Sequence, residues 1–97
     1  MTRAEAVEHL QAHRDHLYTM GIEHVAVFGS TARNEARPGS DLDLAIKLRR
    51  DLRLGWDYFT LDDRVAALLG VPVDLVPEPV DRVRLQAAID RDRVDVF

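Results

Sequence analysis

The chain contains no cysteine, which excludes disulfide staples and thiolate metal sites. Long apolar runs are also missing, and none approaches the roughly 20 residues that a membrane helix requires. Positive charge is in the minority: 13 Lys and Arg against 17 Asp and Glu leave a net charge of −4. Such a surface does not attract polyanions as a whole, so a nucleic-acid partner is disfavoured. The first residues, Thr2 to Glu8, are rich in charge and lack the apolar core of a secretion signal. These absences predict a soluble cytoplasmic protein. The length of 97 residues predicts one domain over 1–97, with no second domain to hold a substrate. The apolar fraction of 46% supports a real but modest core.

Helical and extended patterns alternate along the chain. Thr2 and Glu5 have the spacing of a capping box, Val7, Leu10, Leu17 and Met20 recur at helical intervals, and Gly21 is placed to end the helix. His24 to Phe28 reads as a buried strand ending at Gly29-Ser30, followed by one or two helical turns over Thr31–Arg37 that stop at Pro38-Gly39. Asp41 to Leu48 alternates strictly: Leu42, Leu44, Ile46 and Leu48 face one way, Asp41, Asp43 and Lys47 the other. After a basic connection, a helix is expected around Tyr58–Leu69, closed by Gly70. A third strand covers Val71–Val76 and a last helix about Asp81–Arg91, with Val83, Leu85, Ala88 and Ile89 apolar. Val94 to Phe97 has the pattern of a short edge strand. The alternation predicts an α/β (α+β) fold, a small mixed sheet flanked by helices.

The chemistry sits at the junction of the first two strands. Asp41 and Asp43 leave one strand face with Cα atoms roughly 6.5–7 Å apart, while the opposite face is apolar and must pack on the core. Two like charges this close raise one pKa unless a cation sits between them, and magnesium suits an all-oxygen donor set that keeps sites open for phosphate. Gly29 allows a close backbone approach, and Ser30 offers a hydroxyl and an amide at a helix start. Arg33, one helical turn on, could reach a phosphate or simply be solvated. Asp74 is a single acid in an otherwise apolar strand; outward exposure on an edge strand would explain it without chemistry.

Three further features carry less. His9, His13 and His16 share a helical face opposite Val7, Leu10 and Leu17, and a solvated polar face is the default reading. Trp56, Tyr58 and Phe59 cluster near a loop and read as packing for the next helix or as an interface. Arg49, Arg50 and Arg53 form a basic patch suited to an acidic partner, to the nucleotide, or to solvent.

The stretch Val27-Phe28-Gly29-Ser30-Thr31-Ala32-Arg33, with Ser40-Asp41-Leu42-Asp43-Leu44 following, resembles the signature of the DNA polymerase β-type nucleotidyltransferase superfamily. Val73-Asp74-Leu75-Val76 resembles its third carboxylate strand. Small size points to the minimal nucleotidyltransferase (MNT) group, whose members resemble antitoxins of helical HEPN ribonuclease toxins.

The resemblance implies the polymerase β-like fold and a protein adenylyltransferase antitoxin. Such an enzyme transfers AMP from ATP to a tyrosine hydroxyl of the HEPN toxin, with which it forms a hetero-oligomer. By resemblance, Gly29 and Ser30 hold the β- and γ-phosphates, Asp41 and Asp43 bind two Mg2+ ions, and Asp74 binds the catalytic metal and acts as general base. The alternatives are a small-molecule nucleotidyltransferase of the antibiotic-modifying kind and a non-catalytic antitoxin that acts by direct binding. Absence of an acceptor domain favours an acceptor carried by a partner protein.

Overall fold

The computed structural model describes residues 1–50 and 60–97. The expected Trp56, Tyr58 and Phe59 cluster, Arg53 and the start of the helix expected from Tyr58 lie outside the described residues. The elements run α1 (Arg3–Ala12), α2 (Arg14–Thr19), β1 (Ile22–Phe28), α3 (Gly29–Ala32), β2 (Leu42–Leu48), α4 (Leu61–Leu69), β3 (Val73–Pro77), α5 (Val83–Asp92) and β4 (Val94–Asp95). Four strands form one sheet in the order β3-β2-β1-β4. The β1–β2 and β1–β4 pairs are antiparallel and β2–β3 is parallel. The parallel pair needs a crossover, and α4 lies in the connection and packs against the sheet through Leu61, Val65 and Leu69.

The predicted caps form. Thr2 Oγ1 accepts from Glu5 N–H at 3.1 Å, and Thr2 N–H donates to Glu5 Oε1 at 3.0 Å. Gly70 ends α4 in the left-handed region at φ 75°. The first helix departs from expectation, because it breaks at His13 into α1 and α2. His13 Nδ1 sits 2.8 Å from the carbonyl of His9, so the ring competes for a helix-end carbonyl at the break. His9 and His16 are exposed as the helical wheel requires. The expected turn after Gly29 is a single one, α3.

Both faces of the sheet are covered. On one, Val25, Val27, Leu42, Leu44, Ile46 and Leu75 meet Ala6, Leu10 and Leu17 of the first helices and Leu61, Val65 and Leu69 of α4. On the other, Ala26, Phe28 and Ala45 form a smaller cluster with Ile89 of α5. The face carrying Asp43 is therefore not open along its length: α5 roofs its middle and leaves the Asp43 end as a rim. Within α5 the expected apolar stripe is partial. Ile89 is buried and Leu85 half-buried, but Val83, at the first turn, is 82% exposed. Among the described residues no helix is long and apolar enough to cross a membrane.

Candidate active site

Strand register assembles the site. In the antiparallel β1–β2 pair, Phe28 lies opposite Asp43; in the parallel β2–β3 pair, Asp43 lies beside Asp74. Adjacent strands are about 4.8 Å apart, so two acids in register share one face at neighbouring strand ends. Asp41 lies just before β2, exposed, where the Leu42 N–H donates to the Pro72 carbonyl at 2.9 Å and ties the entry of β2 to that of β3. Asp41, Asp43 and Asp74 thus gather at one edge, as the alternation predicted for the first two.

Gly29 follows Phe28 and turns the chain with φ +71°. A Cβ at this position would lie 2.3 Å from Asp43 Oδ2. Two constraints therefore coincide here, a left-handed backbone and the close approach of a carboxylate, and only glycine meets both. The glycine-serine turn and the acidic strand, ten residues apart in sequence, touch in space. Ser30 is half-buried at the same turn, and among the described residues no group hydrogen-bonds its hydroxyl.

None of the three acids has a hydrogen-bond or ion-pair partner among the described residues. Asp43 feels the consequence. Partial burial, then the charges of Asp74 and Asp41, push its carboxyl above the ordinary carboxylate range, and only Arg33 opposes the rise. Among the described residues no three metal-ligating side chains close into a cage; the acids form an open row along the rim. An oxygen donor raised by like charges, as Asp43 is, suits a hard divalent cation that retains water or phosphate ligands and draws few donors from the protein.

Arg33 is not simply solvated. Its Nη1 donates to Asp92 Oδ2 of α5 at 2.5 Å and its Nε to Glu35 Oε2 at 3.1 Å. The sequence reading missed Asp92 and Glu35. The Arg33-x-Glu35 spacing was visible, but nothing local announces a partner for Arg33 that lies 59 positions away. The basic patch goes elsewhere. Arg49 and Arg50 lie past the opposite end of β2, roughly 20 Å from Asp43 along the strand direction. There the Arg49 guanidinium stacks 4.7 Å over the Tyr18 ring, and both arginines line a cavity of about 430 Å3 with Tyr18, Glu23 and Lys47. Arg49 and Arg50 therefore do not contribute to the acidic rim.

Comparison with known proteins agrees with this geometry. The nucleotidyltransferase domain family matches residues 8–94. A protein adenylyltransferase, MntA, from Thermococcus cleftensis is 35% identical over 77 residues, covering 78% of this chain and 77% of that protein. A solved structure described as a minimal nucleotidyltransferase is 34% identical, with a TM-score of 0.75 over 97% of this chain and 95% of its own. A toxin–antitoxin complex crystallised with AMP-PNP shares the fold, with a TM-score of 0.69 at 20% identity over 100% of this chain and 73% of that one. A glycine-serine turn pressed against an unpaired acidic strand, on a mixed sheet that superposes on a minimal nucleotidyltransferase, identifies the chain as a member of the nucleotidyltransferase domain family.

Proposed function

We propose that this chain is a magnesium-dependent protein adenylyltransferase that silences a partner HEPN-type toxin by transferring AMP from ATP to a tyrosine hydroxyl. The observation that carries the reading is Asp43, set in register beside Asp74 and against Gly29, with Asp41 just before it and no ion-pair partner for the three among the described residues. A binding-only antitoxin has no use for three unpaired carboxylates, one of them partly buried at an energetic cost. The similarity to a protein adenylyltransferase supports a protein acceptor, and the similarity to a toxin–antitoxin complex with AMP-PNP supports a toxin as that acceptor and an adenine nucleotide as the donor.

Each residue then has a task. The Gly29 turn and the Ser30 hydroxyl receive the β- and γ-phosphates, and Arg33 faces them from the same rim. Asp41 and Asp43 would hold the magnesium ions, and Asp74 would complete the set. The chemistry that magnesium would supply when held there is neutralisation of the charge that builds up in an in-line displacement. Asp74 takes the proton of the acceptor hydroxyl. The acceptor oxygen bonds to the α-phosphorus, the bond from that phosphorus to the bridging oxygen breaks, and pyrophosphate leaves. Phosphoryl-type transfer of this kind depends on positioning and charge more than on covalent participation by the protein.

The test incubates the protein with labelled ATP, magnesium and the protein encoded beside it, and follows the mass of that neighbour. A gain of one or more AMP units, abolished by Asp41→Asn/Asp43→Asn, is the expected result. No label, together with undiminished suppression of toxicity by that double variant, would sink the enzymatic reading.

A further inference from the structure

Arg33 is held by two acids that are not equivalent, and the inference drawn from them rests on the reading of this rim as a triphosphate site. Asp92 is the interior partner, with a side chain only 6% exposed at the end of α5. Its Oδ2 accepts from Arg33 Nη1, and it also accepts from Arg91 Nε at 3.2 Å and Arg91 Nη2 at 3.3 Å. Glu35 is the exterior partner, 64% exposed, and grips the other edge of the guanidinium at Nε. A carboxylate withdrawn from water does not readily give up its cation, whereas an exposed one exchanges it for water at little cost. An anion arriving at Arg33 therefore displaces Glu35 and leaves Asp92 in place.

We propose that Asp92 is a positioning residue for nucleotidyl transfer: it fixes the Arg33 guanidinium at the end of α3, the turn that begins at Gly29, while Glu35 occupies the edge of the guanidinium that a nucleotide phosphate takes over. The fork explains why an arginine is needed. One edge is anchored to α5 and the other is presented outward, an arrangement that a lysine point charge cannot reproduce. The anchor crosses between α3 and α5, so the helix that roofs Ala45 and Phe28 also sets the charge at the rim. Arg33 ends α3, and α3 packs against β2 as well as α5, so the anchored arginine leaves a turn that lies between the acidic strand and the helix carrying Asp92.

Titration calorimetry of the whole chain with magnesium-ATP and with magnesium-AMP tests this. Asp92→Asn is expected to weaken ATP binding about tenfold, the cost of one misplaced charge-assisted contact, and to change AMP binding far less. Glu35→Gln is expected to tighten ATP binding about two- to threefold, on the scale of an exposed ion pair. Both effects should vanish in an Arg33→Ala background. A merely structural role for Asp92 would lower affinity for ATP and AMP alike and would persist without Arg33. Should Asp92→Asn fail to fold, Glu35→Gln still decides, because unchanged or weaker ATP binding there overturns the exchange. Tighter ATP binding by Asp92→Asn would mean that Asp92 sequesters Arg33, which also overturns the proposal. If wild type binds magnesium-ATP and neither variant differs from it, the positioning role fails while the transferase reading stands. If wild type binds no magnesium-ATP, both fail.

Discussion

Glu78, Asp90 and Asp95 surround Arg93, whereas Asp41, Asp43 and Asp74 have no ion-pair partner among the described residues. Arg93 donates to Glu78 and, at 3.0 Å, to Asp95, with Asp90 at 3.9 Å. Gln86 ties the same acids together, donating to Glu78 at 2.8 Å and to Asp90 at 3.1 Å, and accepts from the Val80 N–H at 3.0 Å. One region thus spends its acids on fastening α5 to the end of β3 and to β4. The other keeps its acids bare on the opposite reach of the sheet and accepts the repulsion. A sequence with 13 cationic and 17 acidic side chains had cations available. The difference teaches that acids of one chain can be spent on fastening elements or left without a cation; on the function proposed above, the acidic rim is left so for an ion or ligand, while the acids near α5 hold the structure.

Four predictions would break or sharpen that contrast. The largest effect belongs to Asp43→Asn, expected to reduce AMP transfer roughly a thousandfold and yet raise the stability of the metal-free protein. The sign follows from the raised pKa. Asp43 favours the folded state while protonated, below its ordinary range, and that contribution is lost as pH rises through its folded value. At neutral pH the ionised group is a net burden, and the amide removes it. Thermal melts and transfer assays on the same preparation check both halves; a less stable Asp43→Asn protein would contradict the electrostatic account.

Next in size is Gly29→Ala. The left-handed backbone alone costs about 1–2 kcal/mol, and the methyl group must push the Asp43 carboxylate aside. Transfer activity should fall more steeply than stability, since the displaced atom is the end of a side chain rather than backbone. An Ala variant with wild-type kinetics would separate the turn from the acids.

Arg93→Ala tests the other region. Releasing Glu78 and Asp95 should cost about 1–2 kcal/mol of stability, read as a drop in denaturation midpoint. Magnesium-ATP affinity should stay unchanged, and a comparable loss of nucleotide affinity would erase the distinction between the two regions.

The smallest effect concerns pH. If Asp43 holds magnesium as proposed, it must be ionised to do so, and affinity should weaken on acidification, beginning above the pH at which an ordinary aspartate protonates. Asp74→Asn removes one of the like charges that raise Asp43 and should move this acid limb to lower pH, measurable by magnesium titration across a pH series. An unmoved limb would leave burial and the Asp41 charge as the causes of the shift.

Much of this was legible in the chain. Helix caps, alternation in β2 and the edge strand at the C-terminus follow local rules, and local rules hold where a residue's neighbours in sequence are its neighbours in space. Thr2 and Glu5 cap each other across three positions, and Leu42, Leu44 and Ile46 share a face because strands repeat every two residues. Readings failed where distant segments decide. Val83 satisfied helical periodicity yet lies beyond the edge of what α5 covers. The face of Asp43 was expected to stand open, and α5 closes its middle. The break at His13 depends on a ring reaching a carbonyl, a choice that apolar spacing does not encode.

The sequence by itself supplied the candidate chemistry: a glycine and a serine after the first strand, and acids at positions of the second strand that cannot enter the core. These are consequences of side-chain type and of short periodicities. Tertiary structure alone decided which acids went bare and which were paired. Parallel register set Asp74 beside Asp43, and the fold of α5 onto the sheet carried Asp92 to Arg33. The physical reason is that an ion pair depends on distance in space, and only the closed fold brings residues 59 positions apart within 2.5 Å.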